Sequence, residues 1–111
     1  MQIVARLKEV RISPRKVRIV ADSIKNLSVQ ESLDALSIIQ KRGAYDLEKV
    51  LKSAIANAVN NARLEKGNLR IKTIDISEGA SLKRFHPSTR GRVHPYKKRS
   101  SNIRIVLEEI N

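Results

Sequence analysis

From Leu69 onward the chain turns to β-branched residues in two runs, LRIKTIDIS (69–77) and NIRIVLEEI (102–110). Between them lies LKRFHPSTRGRVHPYKKRSSN (82–102), which carries Lys83, Arg84, Arg90, Arg92, Lys97, Lys98 and Arg99 and no acidic residue. The simplest topology pairs the two β-branched runs as antiparallel strands and extends the residues between them as a long hairpin, with its turn in HPSTRGRVHP (86–95) near Gly91. A two-stranded ribbon is marginal in water, and one covered in like charge is worse. The hairpin therefore reads as an arm, of about residues 80–102, within a single domain that spans 1–111.

Upstream, QIVARLKEVRIS (2–13) reads as a strand that ends where Ser13-Pro14 begins. Ser13 suits an N-cap and Pro14 the first helical position, where no donor is needed. Val17, Val20, Ala21, Ile24 and Leu27 follow at helical spacing. Ser28-Val-Gln-Glu31 has the form of a capping box opening a short helix with Leu33, Leu36 and Ile39, expected to stop near Gly43. Leu47, Val50, Leu51, Ala54, Ile55, Ala58, Val59 and Ala62 make the clearest helical stripe, and Glu65-Lys66-Gly67-Asn68 is expected to close it. The fold class predicted is α+β: a small three-stranded antiparallel sheet packed with three helices, plus the protruding hairpin.

Lys and Arg number 23 against 11 Asp and Glu, a net charge of +12. Such a field seeks a polyanion, either nucleic acid or an anionic membrane. No apolar run approaches the roughly 18–20 residues of a spanning helix, and no signal segment precedes the fold, so a membrane is not expected and a cytosolic setting is. The absence of Cys removes disulfides, thiolate nucleophiles and Cys-based zinc sites.

Within the basic segment, Arg forks and Lys ammonium groups suit phosphates, and each neutralised phosphate releases counterions. Phe85 and Tyr96 suit either stacking on unpaired bases or packing across the hairpin. His86 and His94 are each followed by Pro and have no Cys or carboxylate nearby in sequence, so surface contact to RNA is favoured over a metal pair, and no metal or cofactor is expected. A second cluster, Arg6, Lys8, Arg11, Arg15, Lys16 and Arg18, has only Glu9 against it. Arg15, Lys16 and Arg18 sit near a helix start, where the dipole disfavours cations, and are therefore placed for an anion. Glu31, Asp34, Asp46, Glu48, Glu108 and Glu109 are expected to lie elsewhere, leaving a one-sided basic footprint. No nucleophile elbow, P-loop or zinc-protease motif is present, so catalysis is not expected.

Ile12-Ser-Pro-Arg-Lys-Val-Arg18, Val50-Leu-Lys-Ser-Ala-Ile-Ala-Asn-Ala58, Glu78-Gly79, Leu82-Lys-Arg-Phe85 and Arg90-Gly-Arg92 occur in that order. In this the chain resembles, over essentially its whole length, the L twenty-two family of universal large-subunit ribosomal proteins. The resemblance implies a small α+β body and a long β-hairpin threaded into ribosomal RNA, its tip at the wall of the nascent-peptide exit tunnel. The implied partners are several domains of large-subunit rRNA, neighbouring large-subunit proteins and the nascent peptide, on a cytoplasmic or organellar ribosome, together with a role in assembly. Carried onto this chain, the tip residues are Arg84, Phe85, His86, Pro87, Arg90, Gly91, Arg92, His94 and Tyr96. Lys83, Arg84, Lys97, Lys98 and Arg99 are the phosphate clamps along the arm, beside the cluster on the body. Two rivals remain at this point: a DNA-architectural protein that wedges a basic β-arm between base steps, and an enzyme acting on RNA, which needs an acid or base near the basic residues.

Overall fold

The computed structural model describes residues 2–79, 82–87, 93–98 and 100–110, the segments 82–87 and 93–98 by their backbone. The chain runs β1 (Gln2–Val10), α1 (Pro14–Ile24), α2 (Val29–Ile38), α3 (Arg42–Ala56), β2 (Leu69–Glu78), β3 (Leu82–Pro87), β4 (Val93–Lys98) and β5 (Ser101–Glu109). β5 is the central strand of an antiparallel sheet ordered β1-β5-β2, while β3 and β4 pair only with each other in a separate ribbon. This is the predicted α+β body with a hairpin inserted between its two sequence-adjacent sheet strands.

The sheet is two-sided, as antiparallel sheets commonly are. Ile103, Ile105 and Leu107 alternate along β5 on the face toward the helices and are fully buried. Their rungs are completed by Leu7, Ala5 and Ile3 of β1 and by Ile76, Ile74 and Ile71 of β2. Onto this apolar face pack Val17, Val20, Ala21 and Ile24 of α1, with Leu47, Val50, Leu51, Ala54 and Ala58 from α3 and the turn that follows it. Burying a single Leu or Ile side chain stabilises by about 1.5–3 kcal/mol, so this aliphatic layer carries the fold without aromatic help.

Several local expectations need correction. Pro14 does sit in the first turn of α1, but the Ser13 hydroxyl makes no cap bond; the Ser13 carbonyl instead accepts from the Lys16 and Val17 N–H groups. Ser28 Oγ accepts from the Glu31 N–H at 3.2 Å, while among the described residues the Glu31 carboxylate makes no return bond. Gly43 does not stop α2, which ends at Ile38; it lies in the first turn of α3, buried where that helix passes α1. A Cβ built on Gly43 would meet Val17 Cα at 3.5 Å, so this is a close helix approach, not a terminus.

Gly67 does not close α3 either. The helix widens into one π turn (Asn57–Asn61), and Arg63 takes the left-handed conformation, φ +56°, that usually falls to Gly. The Leu64 N–H reaches back to the Ala58 carbonyl at 2.9 Å, one residue further than in the usual left-handed cap, because the π turn has added one. Gly67 sits in a separate 3-10 turn, Lys66–Asn68.

Two contacts fix the base of the hairpin. The buried Ser101 hydroxyl donates to the Ile12 carbonyl, joining the start of β5 to the β1–α1 turn. Gly79 N–H donates to Ser100 O at 3.0 Å, and a Cβ on Gly79 would lie 2.6 Å from Ser100 Oγ and 3.2 Å from Asn102 Oδ1. The Glu78-Gly79 pair is thereby explained: the chain leaves the sheet where the Ser100 and Asn102 side chains fill the space a Cβ would take.

Candidate nucleic-acid interface

On the sheet face away from the helices, Arg104 of the central strand β5 stands between Arg6 of β1 and Asp75 of β2, its two cross-strand partners. Arg104 Nη1 donates to Asp75 Oδ2 at 2.7 Å, and Arg70 pairs with Glu108 on the same face. Arg6 and Lys8 are exposed and form no ion pair among the described residues. Surface pairs of this kind contribute little to stability, so the face is better described by its excess of cations than by its bridges.

The cluster read from the sequence is divided by α1. Arg15 and Lys16 are exposed in the helix's first turn, which holds no acidic residue. Lys16 and Ile19 look toward the start of α3, whereas Arg18 looks toward β2. There Arg18 Nη2 donates to the Ile76 carbonyl at 2.7 Å. β2 is an edge strand, so part of its carbonyl row has no strand partner, and Arg18 occupies one such position. Arg18 is thus a fastener between α1 and the sheet, a use its sequence position did not announce.

Asp46 also departs from expectation. It does not lie apart from the basic residues but lines a groove with Lys8, Arg11, Arg42 and Lys49. Partial burial pushes its carboxyl above the ordinary value, and the nearby charges of Arg42 and Lys49 oppose that rise. Glu48 is paired with Lys52 one turn along α3, so it too is locally compensated.

Sequence reasoning missed Lys41, Arg42, Tyr45 and Lys49. Their signal was present: Arg42, Tyr45 and Lys49 recur at three- and four-residue steps on the side of α3 opposite Ala44, Leu47 and Leu51.

In the hairpin, the register sets Leu82 opposite Lys98, Lys83 opposite Lys97, Arg84 opposite Tyr96, Phe85 opposite Pro95, His86 opposite His94 and Pro87 opposite Val93. Arg90, Gly91, Arg92 and Arg99 lie outside the described residues, as do the side chains of Lys83, Arg84, Phe85, His86, Pro87, His94, Tyr96, Lys97 and Lys98. The expected turn at Gly91 falls there as well. Among the described residues no group of His, Cys, Asp and Glu is arranged to hold a metal. No helix of the described residues is long and apolar enough to cross a membrane.

The family description "Ribosomal protein L22p/L17e" matches residues 5–108. The chain belongs to this family. It is 45% identical over 109 residues to the Large ribosomal subunit protein uL22 of Mesoplasma florum, covering 98% of this chain and 97% of that one. The protein of the same name from Thermus thermophilus is 47% identical over 109 residues, 98% of this chain and 96% of its own. That of Caldicellulosiruptor saccharolyticus is 50% identical over 105 residues, 95% of this chain and 86% of its own. The match runs from β1 through β5 and so takes in both the helical body and the hairpin inserted in it. L22p/L17e proteins are structural components, not enzymes, which removes the RNA-acting enzyme from consideration.

Proposed function

We propose that this chain is a structural component of the large ribosomal subunit. It binds large-subunit rRNA through its body and its hairpin, aids assembly of the particle, and sets the hairpin tip at the wall of the nascent-peptide exit tunnel. Kinship with proteins named for the large subunit supports the setting, and a cytoplasmic or organellar ribosome is the corresponding location. The observation that carries RNA binding by the arm is its register: Lys83 is the cross-strand partner of Lys97, in a ribbon whose sequence contains no acid. Like charges directly opposite each other destabilise a strand pair, so the ribbon needs anions to hold it. Phosphates supply them, and counterion release offsets the cost of ordering the arm.

On this reading Lys83, Arg84, Lys97, Lys98 and Arg99 clamp phosphates along the arm, and Arg6, Lys8, Arg11, Arg15 and Lys16 hold further RNA against the body. Arg84, Phe85, His86, Pro87, Arg90, Gly91, Arg92, His94 and Tyr96 form the tip. Neighbouring large-subunit proteins and the nascent peptide are the remaining partners. The DNA-architectural alternative is disfavoured by the family.

Sedimentation of tagged protein through a high-salt gradient tests the reading, comparing the full chain with one lacking residues 83–99. The full chain is expected to travel with the large subunit and to resist salt. Retention of the shortened chain assigns anchoring to the body; its release assigns anchoring to the arm. A full chain that stays at the top of the gradient, or follows chromosomal DNA, overturns the proposal.

A further inference from the structure

The ribosomal reading leaves one feature of the body unused. Tyr45 is 71% exposed on α3, although it is among the few aromatic residues of the chain. It lines a groove of about 370 Å³ between the first half of α3 and the edge strand β1, together with Lys8, Arg11, Arg42, Asp46 and Lys49. The β1 wall is shaped by a bulge between Leu7 and Val10, where Glu9 adopts φ +57° and donates its N–H to Asn102 Oδ1 at 3.0 Å. Bulges of this kind re-aim neighbouring side chains.

We propose that this groove binds an unpaired RNA nucleotide, the base stacked on Tyr45 and the flanking phosphates held by Arg11, Arg42 and Lys49. The proposal rests on the rRNA-binding reading above and adds to it a named subsite on the body.

Charge selects the partner. Lys8, Arg11, Arg42 and Lys49 outnumber Glu9 and Asp46 along the groove. Burial already works against the ionised form of Asp46. Lysine is depleted at protein–protein interfaces, whereas a flat exposed ring among cations is what single-stranded nucleic acid uses. A base within a duplex has both faces covered by its neighbours and cannot offer one to Tyr45, so the nucleotide must be unpaired.

The groove also continues. Arg42 lines a second depression of about 320 Å³ with Ile12, Lys16, Ile19 and Lys41. Ile19 is another exposed apolar side chain without a place in the core. A strand passing from one depression to the other crosses Arg42 at the start of α3, where no acidic side chain stands in the first turn to compete for the helix's free N–H groups.

The test uses the full chain bound to protein-free large-subunit rRNA. Ultraviolet cross-linking followed by trypsin is expected to leave a nucleotide adduct on the peptide Gly43–Lys49, at Tyr45. Because the RNA is held at several places at once, loss of one contact multiplies the Kd. Tyr45→Ala is expected to raise it about 5- to 150-fold, the range for one base on one ring, with the salt dependence unchanged. Tyr45→Phe is expected to bind as the parent does. Tyr45→Leu keeps apolar bulk without the flat ring and is expected to behave like Tyr45→Ala; far-UV circular dichroism checks that each variant is folded. Arg42→Ala is expected to weaken binding and to lower the salt dependence as well.

Parental affinity in Tyr45→Ala or Tyr45→Leu, or an adduct that never falls on this peptide, overturns the proposal while leaving rRNA binding intact. Parental RNA affinity in Tyr45→Ala together with weaker retention of that variant on assembled large subunits overturns it in favour of a protein surface. A parent chain that does not bind this RNA at all instead defeats the reading on which the proposal rests.

Discussion

Arg18→Met separates a structural cation from the RNA-facing ones around it. Methionine keeps the apolar stem that crosses α1 toward β2 but removes the guanidinium whose Nη2 donates to the Ile76 carbonyl at 2.7 Å. A hydrogen bond to a charged group contributes about 1.5–3 kcal/mol when protected from water. Arg18 is exposed and the bond is only partly buried, so water can replace part of the lost contact, and a cost of about 1–2 kcal/mol is expected. For a domain of this size each kcal/mol lowers Tm by about 4–8 °C.

The controls are Arg15→Met and Lys16→Met on the same turn of helix. Both residues are exposed, and no hydrogen bond or ion pair holds either side chain among the described residues, so the stability of these variants is expected to stay within about 0.5 kcal/mol of the parent. The salt dependence of their rRNA binding should fall by about one phosphate contact's share, because each removes a cation available for phosphate. Thermal unfolding followed by far-UV circular dichroism, beside rRNA binding at several salt concentrations, reads both quantities. If Arg18→Met melts with the parent and loses salt dependence as Arg15→Met does, the fastening role is wrong and Arg18 belongs with the RNA-facing set.

Four further substitutions test the body. Gly79→Ala is expected to lower Tm, because its Cβ falls 2.6 Å from the Ser100 hydroxyl oxygen. Gly43→Ala, whose Cβ meets Val17 only at ordinary contact distance, is expected to raise stability by about 0.4–1 kcal/mol. Ser32 is fully buried and its hydroxyl has no hydrogen-bond partner among the described residues, so Ser32→Ala is expected to stabilise by about 1 kcal/mol in a denaturant titration. Asp46 has a folded-state pKa raised by burial, so stability linked to it is full below the unfolded value of 3.8 and is lost as pH rises through the folded value. Asp46→Asn is expected to raise Tm at neutral pH and to flatten the Tm profile across that window.

What the sequence disclosed and what it hid divide along a physical line. Period is legible: the apolar steps from Leu47 to Ala58 make a buried stripe, and the β-branched runs from Leu69 and Asn102 pair as read. Those patterns are local and are enforced by the whole core. Termini were less legible, because they turn on which neighbour comes close. Gly43 looked like a stop and is a helix crossing, Gly67 looked like a cap, and the cap position went to Arg63. A glycine in sequence permits a turn or a close approach without requiring either: a Cβ would be crowded at Gly79 but has room at Gly43 and Gly67.

The candidate site shows the same division one level up. Charge counting found Arg6, Lys8, Arg11, Arg15, Lys16 and Arg18 as one group, yet α1 turns Arg18 away to a strand edge, while the fold brings Arg42, Tyr45 and Lys49 from over thirty positions along the chain to stand beside Lys8 and Arg11. Segregation of acids failed for a related reason: Asp46 is distant in sequence from the basic cluster and adjacent in space. A basic run therefore identifies the kind of partner through its summed field, which is insensitive to arrangement. Which cation meets a phosphate and which fastens a helix depends on the carbonyls and rings the fold places within hydrogen-bonding or stacking reach. That is why Arg18 and Tyr45, one assigned to RNA by its neighbours and one passed over, are the two residues whose substitution most sharply tests the account of this surface.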